Sequence, residues 1–324
     1  MSNIIKLIVE NSQKNSRVDY YLSQKCENIS RTKIKNLILK KFLKINEKIV
    51  KEPSLIVRYG DVIEFNIIEP EEISLKPFDY NLDIIFEDND LIVLNKKAGI
   101  SIHPGAGNLD KTIVNALIKY KGTELSNIGE KFRPGIVHRI DKDTSGLVVI
   151  AKNNFSHMML SDQFKNHSVD RIYLAMVWGK LRPRSGKIEN FIRRSSKNRQ
   201  LMEVGEANGK KAITNYKTIE IFESQKIPTF SLVECKLETG RTHQIRVHMT
   251  YKGNNILGDK QYKKKFRGIK NVEEEIILQL KNLNRQFLHA KTLGFIHPKN
   301  KNKMSFSSEL PEDLENILKK LRNT

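Results

Sequence analysis

The sequence is poor in cysteine, in tryptophan and in long apolar runs. Its 324 residues include one tryptophan and two cysteines, Cys26 and Cys235, which are far apart and form no C-x-x-C pair. This argues against a disulfide framework or a structural zinc site and predicts a reducing cytoplasm. No apolar run is long enough to cross a bilayer, and the first residues lack the pattern of a signal peptide. We therefore expect a cytoplasmic protein without a membrane partner.

Acidic residues are also scarce relative to basic ones. The chain has 57 Lys and Arg against 37 Asp and Glu, a net charge of +20, and the segments 31–44 and 260–270 each contain six bases and no acid. Such blocks are typical of proteins that bind a polyphosphate. A solvated surface in a proteome rich in Lys, Ile and Asn is the alternative, and it explains scattered lysines better than acid-free blocks.

The apolar pattern divides the chain into two parts. Helical spacing at 18–22 and 34–39, a hairpin over 43–50 and a strand over 62–65 predict a small α+β module. A proline and three acids within 69–76 indicate a linker.

The larger part, from residue 82, contains more strands than helices. Strand, turn and strand are predicted over 84–95, and further strands over 136–138, 147–151, 171–178, 212–221, 230–238, 244–249 and 293–297. Helices are predicted over 111–120, 155–166 and 311–321. Because strands and helices do not alternate regularly, the pattern favours a mixed, mostly antiparallel sheet of the α+β class over a doubly wound sheet.

A polar loop between two apolar runs is the strongest functional signal. Residues 138–146, HRIDKDTSG, separate Ile136-Val137 from the apolar run 147–151. This predicts a functional loop on a rigid sheet. The neighbours Arg139 and Lys142 would keep the carboxylate of Asp141 ionised and nucleophilic. Taken alone, Asp141 is nevertheless better explained as a salt-bridged loop residue.

The same loop imitates the start of a calcium-binding loop. Asp141, Asp143 and Ser145 alternate before Gly146, but the twelfth position, where a bidentate Glu is needed, is Lys152. The eight histidines show no metal-ligand spacing with partners. We therefore expect no metal.

Seven short motifs together resemble the RluA-type pseudouridine synthases. In chain order they are NKKAG (95–99), HPGAGN (103–108), HRIDKDTSGL (138–147), RIYLA (171–175), GKKA (209–212), ETGRTHQIRVH (238–248) and QFLHA (286–290). The N-terminal module resembles an S4 RNA-binding domain. The resemblance extends from about Arg17 onward and implies an S4-like domain with linker over 17–76 and a catalytic domain over 82–324.

The resemblance implies an isomerase that flips a uridine out of large-subunit (23S) ribosomal RNA and converts it to pseudouridine. Asp141 matches the catalytic aspartate, whose first attack falls on the base or on the sugar carbon. Tyr173 matches the tyrosine that stacks on the base and handles the C5 proton, and Arg246 the arginine that pairs with the carboxylate. Arg139 matches the arginine that fills the space left by the base. Taken singly, Tyr173 would be a core aromatic and Arg246 a surface residue.

Further RNA contacts are expected from basic residues outside this set. They are Arg31, Lys33, Lys35, Lys40, Lys41 and Arg241. The expected partner is large-subunit rRNA or a pre-ribosomal particle, bound by a monomer. No cofactor is expected, because the isomerisation moves no electrons to an acceptor and the sequence has no dinucleotide or Walker motif.

Three alternatives remain at this point. The enzyme could act on tRNA or on another rRNA site, the chain could be a non-catalytic RNA-binding ribosome-assembly factor, or Asp141 could serve a hydrolase together with a histidine such as His138. Two departures from the family pattern are relevant. Lys97 replaces a usual proline, and Asn46-Glu47 replaces the Asn-Gly of many S4 hairpins, which predicts another turn type.

Overall fold

The chain forms two compact units, Met1–Ser74 and Leu75–Thr324. The computed structural model describes residues 3–10, 15–26, 31–39, 41–67, 75–105, 107–122, 124–128, 133–206, 208–225, 227–262, 278, 280 and 282–324. Lys40, the side chain of Lys33 and residues 263–270 of the second basic block lie outside the described residues. Within the described part, no helix is both long and apolar enough to span a membrane.

The first unit pairs two helices with a four-stranded antiparallel sheet of order β1-β4-β2-β3. Its elements are β1 (Asn3–Ile8), α1 (Val18–Lys25), α2 (Arg31–Leu39), β2 (Leu43–Ile45), β3 (Lys48–Ile49) and β4 (Val62–Ile67). Val18 and Leu22 of α1 and Ile34 and Ile38 of α2 are buried in one core, as helical spacing requires. Strand β1 lies upstream of residue 17, where the predicted domain begins.

The turn between β2 and β3 has the conformation of an Asn-Gly hairpin despite its glutamate. Asn46 has φ +46° and Glu47 has φ +65°, and a type I′ turn requires positive φ at both central residues. The prediction of another turn type was therefore wrong. The Asn46 side chain accepts a hydrogen bond from Val62 N at 2.9 Å and donates one to Asp61 at 2.8 Å, which holds the turn without glycine.

The second unit is built on a ten-stranded sheet. Its elements are β5 (Ile84–Glu87), β6 (Leu91–Lys96), α3 (Ile113–Lys121), β7 (Ser145–Ala151), α4 (Asn154–Lys165), β8 (Asp170–Trp178), β9 (Ser185–Arg194), β10 (Met202–Gly205), β11 (Lys210–Ser224), β12 (Ile227–Leu237), α5 (Gln244–Tyr251), β13 (Leu288–Ile296), β14 (Lys303–Ser307) and α6 (Glu312–Arg322). The strand order is β10-β9-β11-β12-β8-β13-β7-β6-β5, with β14 on β13. Among the described strand pairs only β7 with β13 is parallel, so the predicted α+β class with a mostly antiparallel sheet is confirmed.

Strand β7 explains why the polar loop precedes a continuous apolar run. Every residue of β7 is buried. Val148 and Ile150 face one core cluster, and Leu147 and Val149 face another on the opposite side of the sheet. A strand covered on both faces needs apolar side chains at every position. The loop 138–144 therefore leads into the rigid interior of the sheet.

Two predicted strands are not strands. Residues 244–249 lie in helix α5, and 136–138 contain only an isolated bridge from Ile136 to Ile150. In α5, Ile245, Val247 and Met249 alternate with polar residues, which imitates a strand, but all residues from 244 to 249 are buried. Periodicity is uninformative for a helix buried on every side. Strands β9, β10 and β14 were not predicted.

Candidate active site

The loop 138–144 is held at its middle by the segment before α3. The ammonium group of Lys96, which is 2% exposed, donates to the carbonyl oxygens of Lys97, Ile100 and Lys142 at 2.8, 3.0 and 2.9 Å. Gly99 N also donates to Lys142 O, at 3.0 Å. Burial lowers the pKa of Lys96 to about 7. Because the Lys97 side chain is exposed, the departure from proline at that position leaves this anchor intact.

The end of the loop is held by the segment that leads into β13. Arg285 donates to the carbonyl oxygen of Asp143 at 3.3 Å, and Gln286 Nε2 donates to Thr144 Oγ1 at 3.1 Å. Arg285 is in turn fixed by a bidentate contact with Asp313 at 2.6 and 2.8 Å. Three segments that are remote in sequence thus set the conformation of the loop.

Close approach of β7 and β13 completes the support. Gly146 has φ +114°, and a Cβ there would collide with the backbone of Ala290, so only glycine fits. Beside it, Ser145 Oγ lies 3.0 Å from His289 Nδ1, and His289 Nε2 lies 2.9 Å from Ser308 Oγ. Burial lowers the pKa of His289 to about 4.

Asp141 is paired with Arg246, which lies 105 residues away in sequence. Arg246 Nη1 donates to Asp141 Oδ2 at 3.1 Å. The guanidinium group is 5% exposed and is anchored by Asp259, with Nε at 2.6 Å and Nη2 at 2.9 Å from the two carboxylate oxygens, and by Gln261 at 2.8 Å. The cation that pairs with Asp141 is therefore Arg246, and not Arg139 or Lys142, the neighbours of Asp141 in sequence.

The start of α5 is fixed by the side chain of Gln244. Its Oε1 accepts from Arg241 N at 2.9 Å and from Thr239 Oγ1 at 2.7 Å, while its Nε2 donates to Ile213 O and Thr214 Oγ1 at 3.0 and 2.9 Å. Two of these bonds tie the helix start to β11 and two tie it to the preceding segment, and so they set where Arg246 emerges.

His243 is a residue that the sequence reasoning did not select. It precedes α5 with φ +57°, its Nδ1 lies 2.9 Å from the hydroxyl of Tyr262, and its Nε2 lies 3.9 Å from Asp141 Oδ2. Burial lowers its pKa. Asp259 and Tyr262 were also missed. The signal for His243 was its place in the THQIRVH motif, whereas Asp259 and Tyr262 stand in no motif that the resemblance used.

Asp141 lies where two cavities meet. The smaller, about 60 Å³, is lined by Tyr173, Arg171 and Arg241 among others, and the larger, about 440 Å³, by the segments 101–108 and 284–286. Both cavities share a set of five residues, namely Arg139, Ile140, Asp141, His243 and Arg246. The structure thus brings together the predicted residues Asp141, Tyr173, Arg246, Arg139 and Arg241.

Tyr173 forms an apolar wall of the smaller cavity. It lies on β8 and is 7% exposed, and burial raises its pKa to about 12. Its hydroxyl therefore stays protonated at neutral pH. The ring offers a flat surface on which a base can stack.

The two other predicted arginines of this unit are positioned by neighbouring loops. Arg139 is exposed, and its Nη1 lies 3.1 Å from His103 Nε2 of the HPGAGN motif. Arg241 is half-buried, and its Nε donates to Lys211 O at 2.8 Å. Both guanidinium groups line the cavity that contains Asp141.

His138 is partly buried and is held by contacts with β7 and α4. Its Nε2 accepts a hydrogen bond from Val149 N at 2.9 Å, and its ring stacks on Phe164 with centroids 4.5 Å apart. Burial lowers its pKa to about 3. With Nε2 occupied, His138 has no lone pair for general-base catalysis, which disfavours a hydrolase that uses it with Asp141.

In the first unit, two of the predicted RNA-binding bases, Arg31 and Lys35, surround a buried acid together with Arg17, which was not predicted. Arg17, Arg31 and Lys35 approach Asp19 at 3.1, 3.2 and 3.8 Å. Burial opposes the charge on Asp19, but hydrogen bonds from Arg31 and Arg17 outweigh it and lower its pKa. Lys41 is exposed, with φ +64°.

One group of side chains among the described residues has the chemistry of metal ligands. It comprises Asp88, Asp90 and His297. His297 Nε2 donates to Asp88 at 2.8 Å, and Nδ1 accepts from two backbone N–H groups at 3.2 Å. Asp90 accepts from Asn153 at 2.9 Å and Ser156 at 3.2 Å. These bonds account for the group as a structural network.

Comparison with known proteins agrees with this site. The family model of RNA pseudouridylate synthase matches residues 90–251, which include the loop 138–144 and α5, and the S4 domain model matches residues 16–63. Ribosomal large subunit pseudouridine synthase D of Zymomonas mobilis is 42% identical over 94% of this chain and 93% of that protein. An uncharacterized RNA pseudouridine synthase of Bacillus subtilis is 39% identical over 99% of both chains.

Solved structures show the same fold. The human RNA pseudouridylate synthase domain containing 4 covers 74% of this chain, and 92% of its own length, with a TM-score of 0.55 and 24% identity. The family model and the curated relatives confirm the predicted family and enzyme class. The chain belongs to the RNA pseudouridylate synthase family, whose members are isomerases, and carries an S4 domain near its N-terminus.

Proposed function

We propose that the protein converts uridine to pseudouridine in large-subunit ribosomal RNA, with Asp141 as the nucleophile. The observation that carries the proposal is the position of Asp141, paired with a buried arginine at the boundary of two cavities. The substrate is supported by relatives named for the large ribosomal subunit in Zymomonas mobilis, Buchnera aphidicola and Vibrio cholerae. It follows that the enzyme works in the cytoplasm during ribosome biogenesis.

The reaction needs no external redox partner. Asp141 forms a covalent bond to the target nucleotide, at the base or at C1′, and the N1–C1′ bond breaks. The uracil turns, C5 bonds to C1′, the C5 hydrogen leaves as a proton, and N1 gains a proton. Atoms and electrons balance within the nucleotide, and the carboxylate is regenerated. Arg246 stabilises the ionised form of Asp141 before attack and after release.

Base flipping sets the roles of Tyr173 and Arg139. Extruding a base costs roughly a few kcal/mol and requires a pocket with aromatic or apolar walls. Tyr173 supplies such a wall, and its neutral hydroxyl favours stacking over action as a phenolate base. Arg139 is exposed at the mouth of the cavity, where a planar cation can stack in the vacated space and pair with phosphate.

Affinity for RNA would come from positive charge outside the chemical centre. Arg241 lines the cavity, and Arg31, Lys35 and Lys41 are exposed on the first unit. Contacts with phosphate position the RNA, while the cleft selects the uridine. Lys33 and Lys40 remain proposals from sequence. So do action as a monomer, the absence of a cofactor and the domain bounds 17–76 and 82–324.

A tritium-release assay tests the proposal. Large-subunit rRNA carrying tritium at uridine C5 is incubated with the wild-type protein, Asp141→Asn and Asp162→Asn. Asp162 is an exposed helix residue and serves as the matched control. We expect release from wild type and Asp162→Asn, and none from Asp141→Asn. Release from all three would show that another carboxylate attacks, and release from none would favour the non-catalytic assembly factor.

Mapping of pseudouridines distinguishes the substrates. RNA from cells lacking the gene, complemented with wild type or Asp141→Asn, is sequenced for pseudouridine. Loss of modification in large-subunit rRNA, restored only by the wild type, is expected. Loss confined to tRNA or to small-subunit rRNA would overturn the choice of substrate but leave the chemistry intact.

A further inference from the structure

The carboxylate of Asp141 presents two oxygens to different surroundings. Oδ2 accepts from Arg246 at 3.1 Å and has His243 Nε2 at 3.9 Å. Oδ1 has no partner among the described hydrogen bonds and ion pairs of this loop. Two nitrogen groups thus lie near Oδ2, whereas Asp141 as a whole lines both cavities. Whether His243 contributes depends on which of its nitrogens carries the hydrogen.

Tyr262 determines which nitrogen of His243 carries the hydrogen. Its hydroxyl accepts from Met202 N at 2.8 Å and lies 2.9 Å from His243 Nδ1. Among the described contacts the hydroxyl hydrogen has no other acceptor, so the arrangement that leaves no buried hydrogen without a partner has Tyr262 donating to Nδ1. His243 Nδ1 is then bare. Burial lowers the pKa of His243 and raises that of Tyr262 to about 12, which keeps both groups neutral.

The ring is held in place on several sides. Tyr262 meets the imidazole edge-on with centroids 5.7 Å apart, and the guanidinium group of Arg246 lies over the Tyr262 ring at 4.9 Å. Asp259 accepts from the backbone N of Tyr262 at 3.1 Å while also binding Arg246. His243 itself has φ +57°, a conformation that persists in non-glycine residues where the surroundings enforce it. The same cluster therefore positions both donors that face Asp141.

We propose that His243 is a positioning residue whose neutral Nε2–H, set by Tyr262, binds Oδ2 of Asp141 in the RNA complex. Together with Arg246 it holds that oxygen, so that Oδ1 is the oxygen that attacks the nucleotide. The separation of 3.9 Å has to shorten by about 1 Å to reach hydrogen-bond distance, and catalytic hydrogen bonds are often long before substrate binds. The proposal rests on Asp141 as nucleophile.

The tautomer can be observed directly. In protein labelled with ¹⁵N-histidine, long-range proton–nitrogen correlation distinguishes Nε2–H from Nδ1–H, and the His243 signal is assigned from its loss in His243→Gln. We expect Nε2–H in the wild type and loss of this preference in Tyr262→Phe, which keeps the ring and removes the hydroxyl. A wild-type signal with the hydrogen on Nδ1 would overturn the proposal.

Two substitutions place an amide donor at different ends of the imidazole. In His243→Gln the amide nitrogen can take the place of Nε2, and in His243→Asn the place of Nδ1. We expect the single-turnover rate at saturating RNA to fall less than about 10-fold in His243→Gln and about 10- to 100-fold in His243→Asn. The larger loss of rate corresponds to the free energy of a hydrogen bond to a charged group. The RNA concentration at half-maximal rate should not change.

A purely structural role predicts the reverse order. Asparagine tolerates positive φ better than glutamine and keeps the contact with Tyr262, so His243→Asn would then be the more active variant. That order, equal rates in the two variants, or a rate in both equal to wild type would each overturn the proposal. Thermal unfolding of each variant verifies that it is folded. Wild type and Asp141→Asn in the same assay report on the proposed function, which stands or falls independently of His243.

Discussion

Two aspartates of this chain, one in each unit, are surrounded by bases but differ in what else surrounds them. Asp19 is 0% exposed in its side chain and has three cations within 4.0 Å, whereas Asp141 is 16% exposed and has one arginine and one histidine. Asp19 faces no cavity among those described, while Asp141 lies between two. Density of positive charge therefore does not identify a nucleophile.

The anchoring of the cations differs as well. The three bases around Asp19 have side chains that are each 46% exposed, so the buried partner is the carboxylate and the bases are half-exposed. Around Asp141 the cation is the buried and anchored partner, because Arg246 is held by Asp259 and Gln261. A fixed cation beside an accessible carboxylate suits catalysis, since the charge is already in place when substrate arrives. A fixed carboxylate beneath exposed bases suits the organisation of a binding surface.

The largest effect in a test of this comparison is expected from Asp259→Asn. Arg246 then loses the anchor that distinguishes it from the bases around Asp19. Turnover should fall about 10- to 100-fold, the value of a charge-assisted hydrogen bond. Stability should fall by about 3–5 kcal/mol, since a buried pair is broken. Single-turnover kinetics and urea unfolding measure the two effects. Unchanged turnover would mean that Arg246 needs no anchor.

Low pH should lower the stability of the second unit but not that of the first. All eight histidines lie in the second unit, and burial lowers the pKa of His248 and His289 to about 4. The unfolded chain binds protons at these sites below about pH 6.5, whereas the folded chain does not until about pH 4. Stability is therefore complete well above pH 6.5 and falls as the pH decreases towards 4, by about 1 kcal/mol per histidine at pH 5.5.

The first unit should not respond over the same range. Two of its carboxylates, Asp19 and Glu64, have a lowered pKa, so their contributions are present above the unfolded values near 3.8 and 4.5 and are lost only below them. Hydrogen exchange of peptides from each unit at pH 7.5 and 5.5, corrected for intrinsic rates, checks both statements. His248→Gln is the control and should reduce the acid sensitivity of the second unit. Equal loss in both units would contradict the assignment.

Asp19→Asn should affect stability and leave chemistry alone. It removes the acid on which Arg17, Arg31 and Lys35 converge. Because these bases are half-exposed and water can solvate them, we expect a loss of about 1–2 kcal/mol in the first unit and not the full value for a buried pair. The single-turnover rate at saturating RNA should equal that of the wild type. A reduced rate would show that the first unit contributes to the chemical step.

The smallest effect is expected from the bases themselves. The double variant Arg31→Gln, Lys35→Gln should weaken RNA binding uniformly across sequences. It should also reduce the salt slope of log affinity by about 1–2, as for phosphate contacts. Lys303→Gln, an exposed lysine on β14, is the matched control. An unchanged slope would mean that Asp19 already neutralises these bases and that they do not reach RNA.

Much of the fold could be predicted where a helix buries one face or a strand buries both faces. The helices of the first unit and strand β7 follow from apolar spacing, because each buries a defined face or both faces. Helix α5 could not be predicted this way, since it is buried all round and its alternating residues imitate a strand. The hairpin over 43–50 was predicted, but its turn type was predicted wrongly because it depends on hydrogen bonds of Asn46 to Val62 and Asp61, which the local sequence does not contain.

By itself the sequence determined the family, the enzyme class and the set of loop and motif residues that hold the chemistry. The motifs and their order can be recognised without knowledge of contacts, because each motif is a short continuous segment of the sequence. The tertiary structure alone decided that Asp259 and Tyr262 support the pair of Asp141 and Arg246, which the resemblance had implied, and that Nε2 of His138 is occupied by Val149 N. The physical reason is that ion pairs and tautomers depend on distances of a few ångströms between side chains from different segments, which are 105 positions apart for Asp141 and Arg246, and only the folded chain sets these distances.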